Sequence, residues 1–505
     1  MAIAAARVIA TYPRFCQTFD EPVHIAMGLE WLDRGSYTLE LQHPPLARVF
    51  DALLLRGRYP AGAIRLTDPQ LPVRVGNAIL DGGEAYQGNL TLARLGVLPF
   101  LFLGSLIVFL WTRAIADPIA AAAAVALFTL VPPILGHAGV ATTDLALAAT
   151  LPAAVFALVR AAERPSALRI ALLAFALAAA VLTKFSAIPF LGAIAMAVVV
   201  MKRPSARVAL ALPAAALLVW AGYRFSIWPA PLYGFPPRAI LGMLAQSGSA
   251  PDRAFLFLLT HVRLPAPEFF AGLTHLAEHG SAGHASYFLG SVRTQGTWLF
   301  FPVLIAVKTP IAFMILAAIG LRRAAVPAIS AGLIVLVAML ARINLGVRHV
   351  LPIYPLLAIG GGIALVAIWR RRRAFAAILG AWLAISGLLA HPDYLSYFNE
   401  LAGRHPERIV VDSDLDWGQD LPRLREAIAQ RGVDHLWLAY FGTTDLAAYP
   451  LGAPVRALPP RMPVKGWVAV SRTLLAGAYG TDYSWLQSMK PTAEIGRSML
   501  LYRIE

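Results

Sequence analysis

Long apolar runs alternate with short polar turns through most of this chain. The runs cover about residues 1–16, 92–112, 119–136, 145–162, 168–183, 186–201, 208–226, 298–321, 325–341, 349–369 and 374–390. Most approach the roughly 20 apolar residues needed to cross a hydrocarbon core. Inside lipid a helix satisfies every backbone group within itself. The pattern therefore predicts an α-helical polytopic membrane protein with about eleven transmembrane helices. The first run is short for a bilayer and carries Arg7, Pro13 and Arg14. Either snorkelling shortens this helix or part of the span lies upstream of Met1, and the second reading is preferred. Residues 1–10 lack the charged start and polar cleavage region of a removable signal, so they read as an anchor.

The polar turns set the orientation. With a cytoplasmic amino terminus, the inside turns hold Arg113, Arg160, Arg164, Arg169, Lys202, Arg203, Arg207, Arg322, Arg323, Arg370, Arg371, Arg372 and Arg373, against the two acids Asp117 and Glu163. The short outside turns hold only Lys184, Arg342 and Arg348. This bias is the one expected of cytoplasmic loops. It places residues 17–91, 227–297 and everything after His391 outside. The expected organisation is a transmembrane core at 1–390 and a small extracytoplasmic α/β domain at 391–505. In that tail the pattern predicts strands at 409–412, 436–441, 467–471 and 498–504, a helix at 421–431 between Asp420 and Gly432, and a short helix at 483–489.

Composition agrees. Of 505 residues, 58% are hydrophobic and 14% charged, with a mean hydropathy of +0.65, which excludes an ordinary soluble protein. The net charge of +15 lies in the cytoplasmic turns rather than in a basic stripe with interleaved aromatics, which argues against nucleic acid as a partner. One cysteine, Cys16, excludes an internal disulfide and a cysteine metal cage. The alanine- and arginine-rich usage suits a bacterial source with GC-rich DNA, and the expected location is the bacterial inner (plasma) membrane with the outside face toward the periplasm.

Candidate chemistry gathers on that face. The first outside loop opens Phe19-Asp20-Glu21-Pro22-Val23-His24 and continues to His43-Pro44-Pro45-Leu46-Ala47-Arg48. Two carboxylates at a membrane edge are costly unless used or paired, and one of them could deprotonate an acceptor hydroxyl. The plainer alternative is an acidic helix start. Asp144, in Thr142-Thr143-Asp144-Leu145, stands where the next outside turn enters a helix, which a simple N-cap would also explain. Lys184, in Leu182-Thr183-Lys184-Phe185, is a lone cation where positive charge is otherwise avoided, and suits a phosphate. Snorkelling is the competing explanation. Arg348-His349 and Arg94 add cations on the same side. Acids and cations converging at helix mouths suit a reaction that expels a lipid phosphate.

These segments, with Arg348-His349-Val350-Leu351-Pro352, Tyr397-Phe398-Asn399-Glu400 and Asp412-Ser413-Asp414-Leu415-Asp416-Trp417-Gly418-Gln419-Asp420, resemble in order the landmarks of the protein O-mannosyltransferases and related bacterial family 39 glycosyltransferases. Their superfamily includes the lipid A aminoarabinose transferase. The resemblance implies a GT-C-like helical core and an outward-facing cavity. It also implies inverting transfer from a polyprenyl-phosphate sugar, the donor substrate, to a hydroxyl of a glycolipid, polysaccharide or protein. It makes Asp20 the general base with Glu21 and Asp144 as further catalytic acids. Lys184, Arg348 and Arg94 would hold the donor phosphate, and His24, His43, Arg48 and His349 would line the substrate cavity. Ala47 and Arg48 depart from the glycine and lysine of the mannosyltransferases, which makes the protein-mannosylating subgroup less fitting.

Cofactors are not demanded, although a divalent metal is a candidate. His275 and His279 would share a helix face near Glu278 and His284. The run Asp412-x-Asp414-x-Asp416 resembles a calcium loop, but Trp417 replaces the required glycine and Arg423 the closing glutamate, which favours a turn with a capping acid. The alternative function is a transporter or flippase of a lipid-linked sugar, for which Lys308 inside the eighth run is the best evidence. A third class, a structural assembly protein, would not need Asp20, Asp144 and Lys184 on one face.

Overall fold

The computed structural model describes residues 1–58, 70–81, 85–229 and 249–505. Parts of both large outside loops therefore lie outside the described residues. Each of the eleven apolar runs contains helix. Among the described residues, Tyr86–Ile115, Asp144–Glu163 and Ile353–Arg371 are long and apolar enough to cross a membrane. Ala167–Thr183, Ala187–Lys202, Ala206–Gly222, Ala325–Met339 and Arg373–Leu389 are apolar but shorter. The run at 1–16 yields only the helix Ala2–Ile9 and a turn at Tyr12–Arg14. Eight residues at about 1.5 Å each fall well short of a hydrocarbon core.

Two runs expected as single spans are broken instead. Pro118–Phe128 and Pro132–Ala138 meet at 67°, and Phe300–Lys308 and Ile311–Arg323 at 112°. Proline explains both. Pro132, Pro133 and Pro310 lack the N–H that would continue the ladder, and a residue before proline is pushed out of the helical region. Val131 and Thr309 are accordingly extended, with ψ of 118° and 130°.

One apolar core runs through these helices and reaches Tyr394, Tyr397 and Val410. The tail carries a five-stranded sheet in the order Val455–Ala457, Leu436–Ala439, Gly466–Ser471, Met499–Ile504, Ala493–Ile495. Its first two pairings are parallel and its last two antiparallel. The helix Leu421–Arg431 stops at Gly432, whose φ of 59° suits a residue without Cβ. The strand expected at 409–412 does not form. That stretch has turns at Pro406–Arg408 and Asp412–Asp414, and Asp412 has a φ of 59°, incompatible with a strand. The tail is seated on the first loop: Cys16 belongs to its core beside Leu421 and Leu438, and Cys16 N–H donates to Gln419 O.

Candidate active site

Asp20 precedes the helix Glu21–Leu29, yet its carboxylate makes no capping bond. It accepts instead from Arg348 Nη1 at 2.5 Å. Arg348 lies on the turn Val347–Val350, and its guanidinium sits 4.5 Å from the ring centre of Trp417. Burial pulls the Arg348 pKa down, but the carboxylates of Asp20, Asp144 and Asp412 outweigh it, so the cation is held above its ordinary value. Arg348 Nε is buried without a protein partner. Gly346, with a φ of 143°, lets this turn approach the tail; a Cβ there would stand 2.5 Å from Ser413 Oγ.

Asp144 likewise does not cap. It is the first residue of its helix, and its Oδ1 accepts from Lys184 Nζ at 2.6 Å. A carboxylate in a first turn is favoured by the helix dipole. Lys184 follows the last turn of Ala167–Thr183 in an extended conformation, which brings its amine back over the turn that feeds Asp144. The molecule thus holds two carboxylate–cation pairs that share the field of Arg348.

Glu21 and Arg94 are placed differently from their neighbours. Arg94 donates through Nε and Nη2 to both oxygens of Glu21, each at 2.9 Å, and Glu21 also accepts from Ala141 N at 2.8 Å and Thr18 N at 2.7 Å. Arg94 spends its remaining donors on Cys16 O and Phe15 O. Both side chains are essentially inaccessible. A saturated buried pair has neither a lone pair for a substrate proton nor a donor for a phosphate. It ties the first loop to the helix Tyr86–Ile115 and to the turn before Asp144.

Arg48 is also committed. It donates to His24 Nδ1 at 3.0 Å, Tyr37 Oη at 2.9 Å, the carbonyls of Glu40 and His43, and the Glu40 carboxylate. Its guanidinium thus ties His24, Tyr37, Glu40 and His43 together within the first loop. His24 and His43 meet edge-on at 5.2 Å. Burial first, then Arg48, pushes both well below the ordinary histidine pKa, so they are neutral. The His349 ring leaves Nε2 buried and unpartnered.

The tail acids separate rather than cluster. Asp412 accepts from Tyr479 Oη, Asp414 from Val347 N at 3.1 Å, Asp416 from Thr473 N at 3.0 Å, and Asp420 from Ser498 Oγ at 2.7 Å. Lys308, buried, donates to Leu395 O at 2.8 Å and Asp414 O at 2.7 Å and lies over the Phe398 ring. It pins the broken span to the tail. Among the described residues no group of three or more His, Cys, Asp or Glu could hold a metal ion. His279 packs against His284 at 5.5 Å, and nothing joins them to His275 in a ligand set.

Sequence reasoning missed three residues. Trp417 carries Arg348, Tyr479 holds Asp412, and Asp51 is buried with both carboxyl oxygens unpartnered. Only the spacing of Asp51, one turn beyond Arg48, marks it in the sequence.

No known family model and no curated protein matches the chain. The crystal structure of ArnT from Cupriavidus metallidurans bound to undecaprenyl phosphate matches over 99% of this chain and 96% of that one, at 14% identity and a TM-score of 0.50. The chain shares its fold with ArnT. The archaeal oligosaccharyltransferase AglB from Archaeoglobus fulgidus, in complex with an inhibitory peptide and a dolichol-phosphate, is similar at a TM-score of 0.45 and 13% identity, covering 94% of this chain and 69% of that one. The ArnT likeness covers helices and tail together, so the shared fold is not confined to the apolar helices.

Proposed function

We propose that this chain is a glycosyltransferase of the bacterial inner membrane that moves a sugar from a polyprenyl-phosphate carrier to a hydroxyl acceptor on the periplasmic face. The observation that carries it is the pair of ion pairs, Asp20–Arg348 at 2.5 Å and Asp144–Lys184 at 2.6 Å, set at helix mouths. The fold shared with a protein crystallised with undecaprenyl phosphate supports the donor class. The basic cytoplasmic turns support the facing.

In this reading Asp20 takes the proton of the acceptor hydroxyl as its oxygen attacks the anomeric carbon. The carbon–oxygen bond to phosphate breaks, with its electron pair leaving on the phosphate. The donor phosphodiester carries one negative charge and the departing monoester gains a second. Arg348 and Lys184 would meet that added charge, where preorganised cations are most valuable. Attack opposite the leaving group inverts the configuration. Asp144 orients Lys184, while Glu21, Arg94 and Arg48 hold the frame. The core would end near residue 390, and the tail would form an extracytoplasmic domain closing over the site.

The test is release of free polyprenyl phosphate from a labelled polyprenyl-phosphate sugar in outward-facing vesicles. Release that disappears in Asp20→Asn, with insertion intact, supports the transferase. Translocation of sugar without release overturns it in favour of a flippase.

A further inference from the structure

Next to Asp20 three aromatic rings form a ladder that joins the first loop to the tail. Phe19 stacks on Phe441 at 5.2 Å and 24°, and Phe441 on Tyr479 at 5.2 Å and 17°. The two outer rings are exposed, at 37% and 38%, while Phe441 is buried. Tyr479 Oη donates to the carboxylate of Asp412, which lies in the field of Arg348. Both residues have left-handed backbones, with φ of 62° and 59°. Such conformations in non-glycine residues persist where the surroundings enforce them, and they concentrate at functional sites. The His284 ring closes the far side, edge-on to Tyr479 at 5.6 Å.

Resting on the transferase reading, we infer that this ladder with Asp412 is the acceptor subsite and that the acceptor it takes is a sugar ring. A pyranose presents polarised C–H bonds on its faces and hydroxyls around its rim. The C–H bonds suit the negative face of an aromatic ring. The hydroxyls suit a carboxylate, which only accepts. A ring lying against Phe19 or Tyr479 is thereby held beside Asp20. An extended peptide acceptor would need free backbone groups to pair with. Those of Phe19 are taken, its N–H by Trp417 O at 3.0 Å and its carbonyl by Thr443 Oγ1 at 2.8 Å.

The test places the full chain in phospholipid nanodiscs prepared without glycosidic detergent. Saturation-transfer NMR follows methyl α-glucoside in solution and glucosyl-diacylglycerol in the disc, with a serine-containing peptide as competitor. Pyranose C–H signals are expected, falling about fivefold in Tyr479→Ala and largely retained in Tyr479→Phe. A signal from the soluble glycoside points to a polysaccharide acceptor. A signal from the glycolipid alone points to a lipid-anchored one. Either upholds a saccharide. In parallel, undecaprenyl phosphate alone is expected to raise the Tm of wild type and Tyr479→Ala equally, showing that the donor half is intact. If it does so while glycoside signals match in both proteins, or while the peptide displaces them, the subsite is overturned and the transferase survives. If undecaprenyl phosphate leaves the wild-type Tm unchanged, the transferase reading fails and the acceptor role with it.

Discussion

Arg348 Nη1 stands 2.5 Å from Asp20 Oδ2, although 328 positions separate the two residues in the chain. The proposed base is therefore paired with the cation proposed for the phosphate. On the proposed mechanism a donor phosphate arriving at Arg348 would compete with Asp20 and free its carboxylate. Asp20→Asn is expected to slow polyprenyl phosphate release about 10³-fold with the Tm nearly unchanged. Arg348→Lys keeps the charge but loses the planar contact with Trp417, and is expected to slow release about 10²-fold. Single-turnover release assays measure both.

Glu21 behaves as the opposite of its neighbour. Removing one partner of a buried ion pair leaves an uncompensated charge, which costs about 3–5 kcal/mol. Glu21→Gln and Arg94→Met are each expected to lower the Tm and yield, while the folded fraction keeps its turnover. Thermal unfolding beside specific activity separates this outcome from a catalytic loss.

Lys308→Met removes the ammonium that holds the carbonyls of Leu395 and Asp414. Limited proteolysis is expected to cut the 391–420 stretch faster in the variant. A transporter would instead show altered lipid translocation with the tail still protected.

Asp416 gives a pH dependence. Burial raises its pKa to about 7, against hydrogen bonds from Thr473 and Gly418 that favour the charged form. Between the unfolded value of about 3.9 and the folded value of about 7, the folded state binds the extra proton. Its contribution is thus most favourable below about pH 4, is lost as pH rises to about 7, and is level beyond, an order of about 4 kcal/mol in all. Asp414, raised by burial to about 6, acts in the same direction. The Tm is expected to fall as pH rises across this window, and Asp416→Asn to flatten that slope.

The polar residues at helix mouths were legible because a charge beside an apolar run has few bland explanations. Asp20, Asp144, Lys184 and Arg348 all stand out on that ground. Glu21 and Arg94 stand out equally, and nothing in the chain says that residues 73 positions apart consume each other. Trp417 and Tyr479 were invisible as site residues because their places depend on how the tail docks. The breaks at Pro132 and Pro310 were readable in principle, since each proline sits inside an apolar run. The lost strand at 409–412 was not, because the left-handed backbone of Asp412 is imposed by its partners.

The anchoring of Lys308 has a consequence for biogenesis. The carbonyls that receive its ammonium belong to residues 87 and 106 positions further along. Both are made well after the half-helix Phe300–Lys308. Until they are made the amine must find other partners, and the place of this helix is settled only when the carboxy-terminal part packs against it. Truncation before Leu395 would thus leave an upstream helix misplaced, so the order of synthesis is itself part of how the site is assembled.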